Sequence, residues 1–336
     1  MKRRTFLATA ASAAVPAAAS VEPVKRTPAP NAKFLRTDTG AEPVWKLTVA
    51  TCQFPVTDDI GANLDCILRQ MNLAKREGCD VAHFSETALG GYAGVDFSSF
   101  EGYDWKSLES AARQVIKAAR SLGVWVILGS NHRLSGSNKP RNSLYVIDPA
   151  GKIVDRYDKM FCTGNSGETS GDLKHYSPGE RFVTVTINGF ICGLQICHDM
   201  RYPEMYRELK QLGAEIVFHS YYNGRELIND PSDPDENIWG VITEPTMQTY
   251  AAVNNLWISA NNTSKPESCW PSFVVRPDGV VAARLERNAE SMLITEISTA
   301  YRFYDASAAW RERAMNGIYH SGTLVDDPRG DDVTSL

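Results

Sequence analysis

The 336-residue sequence predicts a layered α/β domain with mixed sheets over residues 45–298. Three observations carry that prediction. Short apolar runs alternate with amphipathic stretches, as strands do with the helices that cover them. Residues 124–131, Val-Trp-Val-Ile-Leu-Gly-Ser-Asn, form an apolar run of the kind found inside a sheet covered on both faces. Asn188-Gly189 between two apolar runs is a strong two-residue hairpin signal, so antiparallel pairs must be present too.

Taken in order, residues 46–53 read as a strand. Residues 63–76 carry Leu64, Ile67, Leu68, Met71 and Leu73 on one face of a helix. Residues 80–85 are the next strand. Residues 105–121 are a helix with Leu108, Ala111, Val115, Ile116 and Ala119 toward the core. The strand at 124–131 follows. Strands at 143–147 and 152–157 flank a turn at Asp148-Pro-Ala-Gly151, and strands at 182–187 and 190–196 flank Asn188-Gly189. Residues 204–212 are helical and 215–219 extended. Residues 239–254 read as helical apart from Pro245. The last strands fall at 256–261, 272–276, 280–285 and 292–297, with a turn at Pro277-Asp-Gly279. No internal repeat is visible in the sequence.

Composition narrows the function. Hydrophobic content of 43% and charged content of 22% fit a soluble globular enzyme. A net charge of -5 argues against a nucleic-acid partner, which calls for a basic surface. No apolar run approaches the roughly 20 residues that span a bilayer, so no membrane partner is expected. No Gly-x-Gly-x-x-Gly and no phosphate loop occurs, so no cofactor is expected. The seven cysteines show no Cys-x-x-Cys spacing with nearby histidines, which argues against a metal. The expected partner is a small-molecule substrate.

The two ends differ from the domain. Lys2, Arg3 and Arg4 precede an alanine-rich, weakly apolar segment with a small-residue site at residues 17–19. Residues 1–19 therefore read as an export signal of twin-arginine type, with the bacterial periplasm as the expected location. The competing reading is a plain alanine-rich tail. Residues 20–44 read as a Pro/Ala-rich linker, and 299–336 as a polar C-terminal extension.

Three strand ends carry chemistry. Cys197 closes an apolar run, and His198, Asp199, Met200, Arg201, Tyr202 and Pro203 follow it, the proline suiting a first helical turn. A thiol so placed is exposed and beside helix-start N–H groups. Glu86 ends a mostly apolar strand before Gly90-Gly91-Tyr92, which suits a partly desolvated base. Lys159 ends the strand that contains Arg156 and Tyr157. Taken singly, these read as readily as a core cysteine, a solvated glutamate and a surface lysine. A Cys–His pair is the other nucleophile reading, but adjacent side chains rarely face each other. His198 is thus a poor base for Cys197 and is better suited to lining a pocket.

Glu86, Lys159 and Cys197, in this order and 73 and 38 residues apart, resemble the Glu-Lys-Cys triad of the nitrilase superfamily, the carbon–nitrogen hydrolases. Cys197-x-Asp-x-Arg-Tyr-Pro-Glu204 and Glu86-x-x-Leu-Gly-Gly-Tyr92 match its motifs, the second with one more glycine position filled. The resemblance covers the whole domain. It implies a four-layer α-β-β-α sandwich and a homodimer or higher homo-oligomer. It implies Cys197 as nucleophile and Glu86 as base, with Lys159 stabilising the anionic sulfur and the oxyanion. The His198 backbone N–H is the implied second oxyanion donor, and an acidic residue supports the lysine. The insert at 163–179 offers Asp172 for that role, with Glu168 as the alternative. Tyr92, His198 and Tyr222 are expected to bind substrate. Nitrile-specific relatives carry Cys-Trp-Glu where this chain has Cys-His-Asp, so the resemblance favours a small linear amide or N-carbamoyl substrate. The alternatives are a non-catalytic binding module on the same fold, or a nitrile hydrolase.

Overall fold

The structure, a computed structural model, describes residues 24–28, 30, 43–223, 238–266 and 268–334. The expected export signal lies outside the described residues, as does most of the 20–44 segment. Two mixed sheets stand face to face. The first runs in the order β1 (Lys25–Arg26), β13 (Ser291–Ser298), β2 (Lys46–Gln53), β3 (Val81–Phe84), β4 (Trp125–His132), β5 (Arg141–Ile147) and β6 (Ile153–Asp158). The second runs β12 (Val281–Arg284), β11 (Phe273–Val275), β10 (Trp257–Asn261), β9 (Ile216–Ser220), β8 (Phe190–Ile196) and β7 (Thr184–Ile187). Helices α1 (Ile60–Arg76) and α2 (Trp105–Leu122) cover the first sheet through Ile67, Met71, Leu108 and Val115. Helices α3 (Pro203–Gln211) and α4 (Ile238–Asn254) cover the second through Met205, Leu209, Met247 and Ala251. This is the four-layer α-β-β-α sandwich.

The chain describes the same path twice. β2-α1-β3-α2-β4 builds three parallel strands, extended by antiparallel β5 and β6. β8-α3-β9-α4-β10 does the same, extended by antiparallel β11 and β12. The repeat is one of topology. It leaves no trace as a sequence repeat because helix period and strand period constrain only which positions are apolar.

Boundaries moved where backbone chemistry outweighs periodicity. α1 starts at Ile60, not residue 63, because the Asp59 carboxylate accepts from Gly61 N at 2.8 Å and Ala62 N at 3.0 Å. α4 runs through Pro245. Proline orphans the carbonyl four residues back, here that of exposed Val241, where solvent can take the bond. Lys25–Arg26, within the expected linker, is a short strand parallel to β13. Two residues are too few to show a period. The Asn188-Gly189 turn has φ of 49° and 87°, the left-handed pair this hairpin requires. A Cβ on Gly189 would meet the Trp45 ring at 2.7 Å.

Between the sheets a polar seam interrupts the apolar packing. Ser220 Oγ donates to the Phe84 carbonyl at 2.8 Å, so it accepts from His83 Nε2–H at 2.9 Å. His83 Nδ1 then accepts from Ser259 Oγ at 2.9 Å, which accepts from Thr51 Oγ1 at 2.7 Å. Asn261 Nδ2 donates to the carbonyls of Cys52, at 3.0 Å, and His83. Burial lowers the His83 pKa to about 3, so the ring is neutral. Every bond of the seam joins the first sheet to the second or fixes a group that does.

Candidate active site

Glu86, Lys159 and Cys197 meet where the two sheets end. Glu86 lies just past β3, Lys159 directly follows β6, and Cys197 directly follows β8. The first two belong to one sheet and the thiol to the other. The path past β3 needs Gly129 on β4 beneath it, because a Cβ there would stand 1.9 Å from the Ser85 carbonyl oxygen. Cys197 opens a 3₁₀ turn, Cys197–Arg201, with φ of 44°. A non-glycine residue held at positive φ stores strain, which projects the side chain from a sharp bend.

Lys159 is fully buried. Its Nζ stands 2.8 Å from Glu86 Oε1 and 2.7 Å from Asp172 Oδ2. Burial works against its charge, but Asp172 and Glu86 outweigh burial and hold its pKa above the ordinary lysine value. Asp172 is kept below the usual carboxylate range in spite of burial, by Lys159, by the Tyr92 hydroxyl and by the Thr163 N–H at 2.9 Å. Glu86 goes the other way: burial pushes its carboxyl up, with Lys159 pulling against it. Its Oε1 accepts from both Lys159 and Asn142 Nδ2, the latter at 2.7 Å, while Oε2 is buried with no partner. A buried carboxylate oxygen left open, with a raised pKa, is equipped to take a proton.

Cys197 is half-buried and lines a cavity of about 440 Å³, within the usual range for a small-molecule site. Burial first, then Glu86 and Asp172, push its thiol pKa up, while Lys159 and the Tyr222 backbone N–H favour the anion. The resting group is therefore the thiol, and a neighbouring base is needed to draw off its proton.

The other expected residues fall around this centre. Asp172, not Glu168, faces Lys159; Glu168 is on the surface with Lys139, 3.2 Å away. Tyr92, His198 and Tyr222 all line the cavity. Tyr92 and Tyr222 rings pack at 4.8 Å, and the Tyr222 hydroxyl donates to buried Asp96 at 2.6 Å. Trp239, Trp270 and Tyr221 complete an aromatic wall. Among the described residues no cluster of His, Cys, Asp and Glu has the makings of a metal site, and all seven cysteines are free.

Sequence reasoning gave no role to Asn142 or Asp199. Asp199 is buried and accepts from Ile196 N at 2.9 Å, Phe161 N at 2.8 Å and the Tyr157 hydroxyl at 2.7 Å. It thus ties the thiol's turn to the lysine's strand. Asp199 lay in a motif already noticed, and its place two residues past Cys197 is a usable signal. Asn142 carried none: its partner is 56 residues away.

Comparison with known proteins gives the family. The family model described as carbon-nitrogen hydrolase matches residues 48–303. The chain belongs to the carbon–nitrogen hydrolase family. An (R)-stereoselective amidase of a Pseudomonas species is 33% identical over 67% of this hydrolase and 77% of its own length. The N-carbamoylputrescine amidase of Arabidopsis thaliana is 24% identical over 75% and 86% respectively. Among solved structures, an amidase from Nesterenkonia sp. AN1, of the nitrilase superfamily, superposes with a TM-score of 0.62 at 20% identity. That match covers 75% of this chain and 90% of the other. The layers and sheets of this hydrolase are those of that superfamily's fold.

Proposed function

We propose that the hydrolase cleaves the carbon–nitrogen bond of a small linear amide or N-carbamoyl compound through a thioester on Cys197, releasing ammonia. The observation that carries this reading is the buried cluster in which Lys159 bridges Glu86 and Asp172 beside a cavity lined by Cys197. Glu86 takes the thiol proton as sulfur bonds to the carbonyl carbon. Lys159 and the His198 N–H stabilise the oxyanion, the latter worth roughly 3 kcal/mol by analogy with other oxyanion holes. The C–N bond breaks, and Glu86 returns the proton to the leaving nitrogen. Glu86 then deprotonates a water that attacks the thioester, the C–S bond breaks, and the sulfur regains its proton from Glu86. Asp172 keeps Lys159 charged throughout. Tyr92, His198 and Tyr222 bind substrate in the cavity, whose size suits a small acyl group. The similarity to an (R)-stereoselective amidase and to N-carbamoylputrescine amidases supports amides and carbamoyl compounds over nitriles.

The test is ammonia release from a panel of linear amides, N-carbamoyl compounds and nitriles, with iodoacetamide labelling mapped by mass spectrometry. Turnover of amides or carbamoyl compounds, with Cys197 labelled far faster than the other six cysteines, is expected. Equal labelling without turnover would make the chain a binding module, and nitrile turnover alone would make it a nitrile hydrolase.

Two further readings complete the proposal. The paired arginines at residues 3 and 4 support export by the twin-arginine route, so N-terminal sequencing of periplasmic material should find a start near Ser20; Met1 on cytoplasmic protein would refute it. Exposed Tyr304, Tyr319, Leu324 and Val325 beyond the domain support a homodimer. Light scattering giving the monomer mass at micromolar concentration would refute that.

A further inference from the structure

His219 on β9 is fully buried, has no part in the proton transfers above, and touches the nucleophile only through backbone. Its Nε2 stands 3.2 Å from the Cys197 carbonyl oxygen. A carbonyl only accepts, so Nε2 carries the hydrogen. Burial holds the ring neutral, which leaves Nδ1 as an acceptor, and the Tyr206 hydroxyl lies 2.6 Å from it. The ring is stacked on Tyr221 at 4.2 Å with 7° between planes. Tautomer and orientation are thus both fixed, from α3 through β9 to the turn.

The Cys197 carbonyl and the His198 N–H belong to one peptide group. That group is planar and trans, so the two bonds point in opposite directions. Whatever anchors the carbonyl aims the N–H. Cys197 is held at φ of 44°, a conformation the chain leaves unless its neighbours hold it. A hydrogen bond to the carbonyl also polarises the N–H on the other side and makes it a better donor.

We propose that His219 is a positioning residue for the oxyanion hole: by holding the Cys197 carbonyl, it aims the His198 N–H at the oxygen of the tetrahedral intermediate. The inference rests on the amidase reading above. It assigns work to a residue that never meets the substrate. The ring of His83, the other buried histidine, bonds to serine hydroxyls across the seam and carries no such role.

The experiment separates reactions that need an oxyanion hole from one that does not. Amide hydrolysis and reversible inhibition by a short aldehyde both place a negative oxygen on a tetrahedral carbon. Aldehyde addition forms a bond from sulfur to the carbonyl carbon, with the thiol proton passing to Glu86. Alkylation by iodoacetamide forms a bond from sulfur to a methylene carbon and expels iodide, the thiol proton again passing to Glu86, with no oxyanion. His219→Phe keeps the ring stack and removes the donor. Its kcat on the best amide should fall about 10- to 100-fold, less than the 100- to 1,000-fold typical of deleting a donor outright. Aldehyde affinity should fall in parallel, while the alkylation rate stays within twofold. Tyr206→Phe should show the same pattern at smaller amplitude, since it frees Nδ1 and leaves the donor; it decides the matter if His219→Phe does not fold. Equal loss in all three assays would mean that His219 merely holds the thiol in place and would overturn the proposal, as would no loss in any. Failure of the amidase reading looks different: the unmodified protein would then neither release ammonia nor bind the aldehyde.

Discussion

Asn142→Ala is the change that most directly tests how Glu86 is set up as a base. The lost bond is a donor to a buried carboxylate at 2.7 Å. Bonds of that kind are worth roughly 1.5–3 kcal/mol. At 1.36 kcal/mol per decade of rate, kcat/KM should fall about 10- to 150-fold. Stability should fall as well, by about 1–3 kcal/mol, because the folded state loses the same bond to a buried carboxylate, while removal of Asn142 Oδ1, buried without a donor, offsets part of the loss. The pH profile should shift as well. Burial raises the Glu86 pKa, and the Asn142 bond is among the contacts that lower it. Removing that bond raises the pKa further. The base works only when ionised, so the acid limb of kcat/KM against pH should move to higher pH. The assay is initial-rate ammonia release from pH 4 to 9, beside urea denaturation of both proteins. A rate within twofold of the parent, or an acid limb that stays put or moves down, would refute the assignment of Asn142 to Glu86.

Other outcomes follow from the same geometry. Glu86→Gln should be inactive at all pH values, because ionising the thiol with alkali does not replace the proton donor to the leaving nitrogen; recovery of rate at pH 10 would reduce Glu86 to a modulator of the thiol. Asp172→Asn removes a negative charge that raises the Cys197 pKa, so the alkylation profile should shift to lower pH, while turnover falls because Lys159 is less firmly held as ammonium; an alkylation profile shifted upward would contradict this. Folding stability should fall on acidification, since the unfolded chain protonates His83 near pH 6.5 while the folded one resists until about pH 3; that window is worth up to about 5 kcal/mol. His83→Gln should flatten the pH dependence of the urea midpoint between pH 6.5 and 4, and an unchanged slope would remove His83 as its source.

Much of the molecule was legible because strand ends announce themselves. The apolar run that stops at Cys197 and the glycines beyond Glu86 mark positions where backbone leaves a sheet, and side chains there reach a common mouth. The spacing of Leu108, Ala111, Val115 and Ala119 identified α2 by face alone. The supporting acid could not be chosen from sequence: Asp172 and Glu168 sit four residues apart on one irregular insert, and only the fold shows which turns inward. Asn142 and His219 were illegible for a different reason. Each acts on a group brought near by long-range packing, and an isolated asparagine or histidine in an apolar strand looks the same whether it binds backbone, carboxylate or nothing. The doubled topology was hidden because fold memory resides in periodicity, which many sequences satisfy.

The division of the reactive set between two sheets has a consequence for partly folded forms of the chain. Glu86 and Lys159 arrive with the first sheet and Cys197 with the second, and the polar seam around His83 fastens one to the other. A chain whose halves have each formed their strands but have not yet docked would hold a thiol of ordinary sluggishness and a base with nothing to act on. On the proposed mechanism, thiol and base are brought together only where the two sheets dock. Loss of activity should accordingly precede loss of secondary structure whenever the two sheets come apart first.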